Sequence, residues 1–203
     1  MAYPTQYNPL PRSFFNRPTQ TVARELLGCY LIRKLSGILL VGTVVETEAY
    51  IGERDLACHA KAGRTPRTEI MYGPPGFAYV YFTYGIHWML NLVTEEDGFP
   101  AAVLIRAIQP LKGIAHMQDR RGRKSLFQLA SGPAKLTQSL GIARKENGLD
   151  CCQTDSPLTL TRGAAVPSSS IVATPRIGLG QTPEPWLSKP WRFAVRRCKF
   201  VSR

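Results

Sequence analysis

In the stretch VVETEAYIG, Val44 to Gly52, two carboxylates and a phenol recur at every second position: Glu46, Glu48 and Tyr50. Alternate side chains of a strand share a face, so the three should point the same way unless a bulge near Thr47 turns Glu46 aside. A half-buried carboxylate beside an aromatic ring can serve as a general base, because desolvation raises its proton affinity and neighbours fix its orientation. The same acids could simply pair with some of the 26 lysines and arginines, which is the commoner use of such residues. Arg106 is a lone cation inside the apolar run Ala101 to Ile108. If buried it needs a partner, and a strand-end glutamate is the natural one; the alternative is an edge strand whose arginine faces water.

The run from Phe77 to Trp88 is dense in rings. Core packing accounts for most of them, and Tyr79, Phe82 and Trp88 are assigned to the core. Tyr84 precedes Gly85 where the run divides, a poor place to bury a ring. An exposed ring on a basic protein suits stacking on a base or wedging between base pairs. The stretch His59 to Gly76 interleaves Lys61, Arg64 and Arg67 with Thr65, Thr68 and glycines, groups able to contact phosphate but common in surface loops. The run from Ser131 to Lys135, SGPAK, reads as a helix start with a nearby lysine, either an anion site or a plain cap. No GxxxxGK[ST], GxGxxG, GxSxG or HExxH occurs, so P-loop hydrolysis, Rossmann redox chemistry and zinc hydrolysis lose support. Five cysteines without a C-x-x-C and three scattered histidines give no zinc pattern, and we expect free thiols and no metal.

The elements that must position these residues are legible in outline. Residues 1–18 carry four prolines and read as an extended arm, and 19–203 as one domain. A helix is expected over Thr19 to Leu27, stopped by Gly28. Strands follow over Cys29 to Leu35 and Ile38 to Ala49, joined in a hairpin at Ser36-Gly37. A long loop runs from Ile51 to Gly76. Phe77 to Tyr84 and Ile86 to Val93 form a second hairpin, and Ala101 to Ile108 a buried strand. Helices are expected over Lys112 to Arg121 and Ala134 to Leu140. A mixed α+β domain fits this order. The net charge of +12 favours a polyanionic partner, although acids gather between Glu46 and Asp97. With no signal-peptide core and no apolar run of membrane length, we expect an intracellular protein.

Several stretches, in this order, resemble the alkyladenine (methylpurine) DNA glycosylase family: VETEAYIG, RTPRT, MYGPPGFAYVYFTYGIHWMLNLV, AVLIRAI, SGPAKL and PRIGLG. The resemblance spans Ala23 to Phe193 and weakens over parts of 145–170. It implies a curved, mostly antiparallel sheet with surrounding helices and a protruding β-hairpin. It also implies a base-flipping enzyme that hydrolyses the N-glycosidic bond of damaged purines in duplex DNA. In that family's pattern Glu48 matches the general base that activates water, and Arg106 the cation that holds glutamate and water. Tyr50, Tyr81 and His59 match the walls around the flipped base, and the backbones of Ala57 and His59 match groups that bond the purine edge. Asn91 matches a side chain that excludes the 2-amino group of guanine. Tyr84 matches the residue that fills the gap in the duplex, while Arg64, Thr65, Arg67 and Lys135 fall where the family meets the DNA backbone. Glu46 is expected to be a structural or orienting acid. His87, Trp88 and Met89 depart from the animal members, at positions expected to line or back the pocket.

The resemblance further implies a monomer acting without a cofactor, and no lyase step, since no lysine is among the matched pocket residues. Compartment follows source: cytoplasm or nucleoid in a bacterium, nucleus in a eukaryote. Two rivals stand beside this reading. One is a non-catalytic nucleic-acid-binding protein on the same fold, with Glu48 structural. The other, a tRNA- or rRNA-directed protein, rests on the basic charge alone.

Overall fold

A computed structural model describes residues 7–202. Among these described residues eight strands form one open sheet in which every strand pairing is antiparallel. The strands are β1 (Tyr30–Leu35), β2 (Ile38–Ile51), β3 (Ala78–Thr83), β4 (His87–Val93), β5 (Ala101–Lys112), β6 (Leu158–Thr161), β7 (Ile171–Thr174) and β8 (Arg192–Val195). Their order is β3-β4-β5-β2-β1-β6, with β8 joined to β2 and β7 to β8. The sheet forks along β2. One edge of β2 pairs with β5, and the other meets β1 over Ile38–Thr43 and then β8 over Glu46–Glu48. Helices α1 (Arg12–Phe15), α2 (Thr19–Glu25), α3 (Ile114–Arg121) and α4 (Pro133–Leu140) complete the α+β fold.

Local chemistry explains most boundaries. The β1–β2 hairpin turns at Ser36 and Gly37, both at positive φ (50° and 76°), as a two-residue turn between right-twisted strands requires. Helix α4 opens on a proline, whose fixed φ suits a first helical turn, and stops at left-handed Gly141. Gly28 follows α2 at φ +87°, and a Cβ there would lie 2.1 Å from the Ala164 carbonyl oxygen. One expectation is corrected. Residues 1–6 lie outside the described residues, but the rest of the expected extended arm is packed: Arg12–Phe15 is helical and Leu10, Phe14 and Phe15 are buried in the core. Burying two phenylalanines outweighs the extended bias of nearby prolines. The loop after Ile51 also has order of its own, with 3-10 turns at His59–Ala62 and Glu69–Tyr72.

A break in the alternation of β2 sets the two faces of the sheet. Leu40 and Val44 belong to the main core, so even positions face inward at first. The pairing with β5 then slips between Val44 and Glu46, leaving Val45 as an extra residue, and slips back between Glu46 and Thr47, where Arg106 is the extra residue on β5. Beyond this double bulge the odd positions face the main core. Ala49 lies in it, and the Thr47 hydroxyl donates to the Ala23 carbonyl of α2. Glu46, Glu48 and Tyr50 are thereby turned to the opposite face. The strand β5 changes phase in step, since Val103 and Ile105 precede Arg106 in the core and Ile108 follows it.

Candidate active site

On that opposite face, the loop after β2 packs on the ends of the strands. Cys58, Ala60 and Met71 from the loop meet Tyr79, Val93 and Ala102 from the sheet in a small second core. Above it opens a cavity of about 210 Å³ lined by Tyr50, Ala57, Cys58, His59, Tyr79, Tyr81, Tyr84 and Asn91, with Gly178, Leu179 and Thr182 closing one side. The expected pocket residues Tyr50, Ala57, His59, Tyr81 and Asn91 are thus brought together, with Tyr84 at the rim. Strand alternation explains Tyr79 and Tyr81 on one face of β3, and Asn91 pairs directly across from Tyr79. The His59 and Tyr81 rings meet edge-to-face at 4.5 Å. His59 Nδ1 lies 2.9 Å from the Tyr79 hydroxyl, and Asn91 Nδ2 donates to the Tyr79 carbonyl at 3.1 Å. Burial, with Arg67 and Lys61 nearby, lowers the His59 pKa to about 4, so its ring is neutral near pH 7. Burial also pushes the Cys58 thiol up to about 12, which keeps it protonated.

Directly behind Tyr50 lies the acid network. Glu46 and Glu48 are fully buried and Arg106 nearly so, which settles the two open readings of that arginine in favour of pairing. Arg106 Nε donates to Glu46 Oε1 at 2.8 Å, and its NH1 nitrogen stands 3.1 Å from Glu48 Oε2. Glu46 also accepts from Arg192 Nε (2.6 Å) and from the Ser202 backbone N–H and hydroxyl (2.7 Å each). Burial acts to raise the Glu46 pKa, but Arg106 and the Ser202 donors outweigh it and hold the carboxyl below its ordinary range. Glu48 is held differently: Oε2 accepts from the Tyr50 hydroxyl at 2.8 Å and Oε1 from the Ile177 N–H at 2.7 Å. Burial is likewise the largest influence on Arg106 and acts to lower its pKa, but Glu48 and Glu46 more than compensate and raise it.

Sequence reasoning did not single out the pair that frames this site. The side chains of Asp55 and Arg176 are both completely buried and joined by two contacts of 2.6 and 2.9 Å. Asp55 accepts the N–H groups of Ile51 and Ala57, and Arg176 donates to the Ala49 carbonyl with its guanidinium 4.7 Å from the Tyr50 ring centre. The pair ties the pocket loop to the end of β2 and brings Ile177 onto Glu48. PRIGLG was visible as a motif, but nothing local marks its arginine as the partner of an acid 121 residues away.

The remaining expected residues are dispersed. Arg64 is exposed and paired with Glu69 at 2.8 Å. Thr65 closes a local turn with Thr68. Arg67 lies over the Tyr81 ring at 5.4 Å, and Lys135 lines a separate groove with Phe127 and Lys199. Lys61, unforeseen, does line the cavity, its ammonium donating to the Leu56 carbonyl at 2.9 Å. Tyr79 is buried as expected, but Phe82 is not: it is 44% exposed against Trp88, because β5 pairs with β4 only over Asn91–Val93 and leaves the outer hairpin uncovered. None of His87, Trp88 and Met89 lines the cavity itself, but Met89 pairs across the hairpin from Tyr81, which does.

A family model described as methylpurine-DNA glycosylase matches residues 13–199 of the chain. A protein of Carboxydothermus hydrogenoformans is 49% identical over 96% of this chain and 98% of its own length, and one of Methanocella arvoryzae is 48% identical over 96% of each. A third, from Myxococcus xanthus, is 45% identical over 97% of this chain and 94% of its own length. Each of the three carries the name "Putative 3-methyladenine DNA glycosylase".

Proposed function

Starting from the fact that the chain belongs to the methylpurine-DNA glycosylase family, and so hydrolyses N-glycosyl bonds in DNA, we propose a monofunctional enzyme that removes damaged purines from duplex DNA. The observation that carries this reading is the setting of Glu48. It is a buried carboxylate oriented at both oxygens, directly behind a cavity lined by four tyrosines and a histidine.

The damaged nucleotide is rotated out of the helix and its base enters between Tyr50 on one side and Tyr81 with His59 on the other. Extrusion costs a few kcal/mol, less for a weakly paired lesion, and Tyr84 at the rim offsets the lost stacking. The Ala57 N–H is already given to Asp55, so its carbonyl is the group free to meet the purine edge. Asn91, held against the Tyr79 carbonyl, stands where a guanine 2-amino group would collide. Glu48 takes a proton from water as the water oxygen bonds to C1′ of the deoxyribose. The N-glycosidic bond breaks and its electron pair leaves with the purine, which yields free base and an abasic site. An alkylated, cationic purine is already a good leaving group. The negative field of Glu48 also favours the oxocarbenium character that develops at C1′. The enzyme acts as a monomer inside the cell, and Arg64, Thr65, Arg67 and Lys135 contact DNA phosphates.

Base release from methylated duplex DNA by wild type and Glu48→Gln tests this. Loss of a general base lowers the rate roughly 10²- to 10⁴-fold; retained release by the variant would remove Glu48 from that role, and DNA binding without release by wild type would favour a binding protein. Borohydride should trap no covalent adduct. Should an adduct form, Lys61 at the cavity wall is its first candidate and the monofunctional reading fails.

A further inference from the structure

Arg106 is fixed at three points. Its Nε donates to Glu46, NH1 stands against Glu48, and NH2 donates to the Ser202 hydroxyl oxygen at 3.3 Å. That hydroxyl spends its own hydrogen on Glu46 Oε1, and the Ser202 N–H takes the other Glu46 oxygen. Ser202 is therefore bonded to Glu46 and to Arg106 at once, bridging the acid that holds the guanidinium and the guanidinium itself. It arrives from 156 positions along the chain, beyond every strand of the sheet. Arg192, the other donor to Glu46, is anchored by Thr174 and makes no such bridge.

We infer that Ser202 is a positioning residue for the Glu48–Arg106 pair. A planar guanidinium held at Nε alone can swing about that bond. Held at Nε and NH2 together, it presents NH1 to Glu48 in one orientation. Without the hydroxyl, Arg106 NH2 has lost its acceptor and Glu46 Oε1 one donor, and NH1 no longer meets Glu48 in a fixed geometry. The water that Glu48 must activate is then poorly aligned, while the DNA-contacting surface is untouched. This inference rests on the reading of Glu48 as the general base.

The test compares wild type, Ser202→Ala and Ser202→Thr in single-turnover release of 3-methyladenine from duplex DNA. Binding to a duplex carrying an abasic-site analogue and thermal melting are measured alongside. Ser202→Ala should release base roughly tenfold to a hundredfold more slowly, the scale of a small misalignment at a reacting centre. Its DNA affinity should stay within about twofold, since affinity comes from phosphate contacts. Ser202→Thr, which keeps the hydroxyl, should return the rate to within about threefold of wild type. If the alanine variant does not fold, Ser202→Cys keeps a side chain of the same connectivity, slightly larger and with a weaker donor, and should show the same loss. Release by the alanine or cysteine variant at the wild-type rate, or a threonine variant as slow as alanine, overturns the inference. So does a loss of rate matched by an equal loss of DNA binding. A wild type that releases no base overturns the glycosylase mechanism as well, which separates the two failures.

Discussion

Glu46 and Glu48 sit two residues apart and share one arginine, yet their surroundings separate them. Glu46 accepts from Arg106, Arg192 and both donors of Ser202, the setting of a permanently charged anchor. Glu48 accepts from a phenol, one backbone N–H and one edge of Arg106, and that phenol belongs to Tyr50, which lines the cavity. His59 differs again, a buried imidazole whose pKa falls from its ordinary 6.5 to about 4. Between those values the unfolded chain holds a proton at this site that the folded chain lacks, so stability falls as pH drops from 6.5 towards 4 and this contribution changes no further below. Glu46, whose folded pKa is depressed, adds its own loss only below the ordinary carboxyl value of 4.5. Urea midpoints measured from pH 7.5 to 4 should therefore decline for the wild type, and His59→Asn should flatten the part of the decline above pH 5. An unchanged slope in the variant would assign that decline elsewhere. The acids and the ring were legible in sequence; the rank between the acids was not, because their partners come from β5, from β8, from the turn after Arg176 and from Ser202.

At the level of elements, the double bulge in β2 and β5 decides which face receives the chemistry. Counting by twos from Leu40 would carry Glu46 and Glu48 into the core, and the extra residue at Val45 is what turns them away from it. The hairpin of β3 and β4 was legible in sequence because its composition is dense in β-formers and broken at Gly85. Its outer part lies beyond the cover of β5, leaving Tyr84 76% and Ile86 70% exposed at the turn. Tyr84 also holds a positive φ of 52°, unusual for an aromatic residue. An exposed ring kept there at a backbone cost fits a ligand contact better than stability. Tyr84→Ala should leave the melting temperature unchanged and slow lesion release from duplex DNA by roughly tenfold, the worth of one base–aromatic stack. Equal slowing on single-stranded substrate, where no gap needs filling, would count against the wedge.

For the molecule as a whole, the net charge of +12 is the dominant long-range property. It should make duplex binding strongly dependent on salt, with log K falling by about 0.9 per phosphate neutralised for each tenfold rise in salt. Replacing Arg67 or Lys135 by alanine should reduce that slope by about 1. Arg64 must first give up Glu69 to reach a phosphate, so its replacement should matter less. Slopes unchanged by all three replacements would move the DNA path off these residues. Among the described residues no helix is long and apolar enough to cross a membrane.

The sequence by itself determined what local rules govern. Turns at Ser36-Gly37 and near Gly85, the proline start of α4 and the alternation that sets Glu48 and Tyr50 on one face follow from backbone sterics and a period of two. Its motifs, taken together, also carried the family. Only the tertiary structure decided which face that is, that Arg106 serves both acids, that Asp55 holds Arg176 and that Ser202 closes the network. Each of these is a contact between distant segments, made when burial forces charged groups to find one another. No spacing along the chain records it, because the pairing is set by where the sheet forks and bulges rather than by any repeat in the residues.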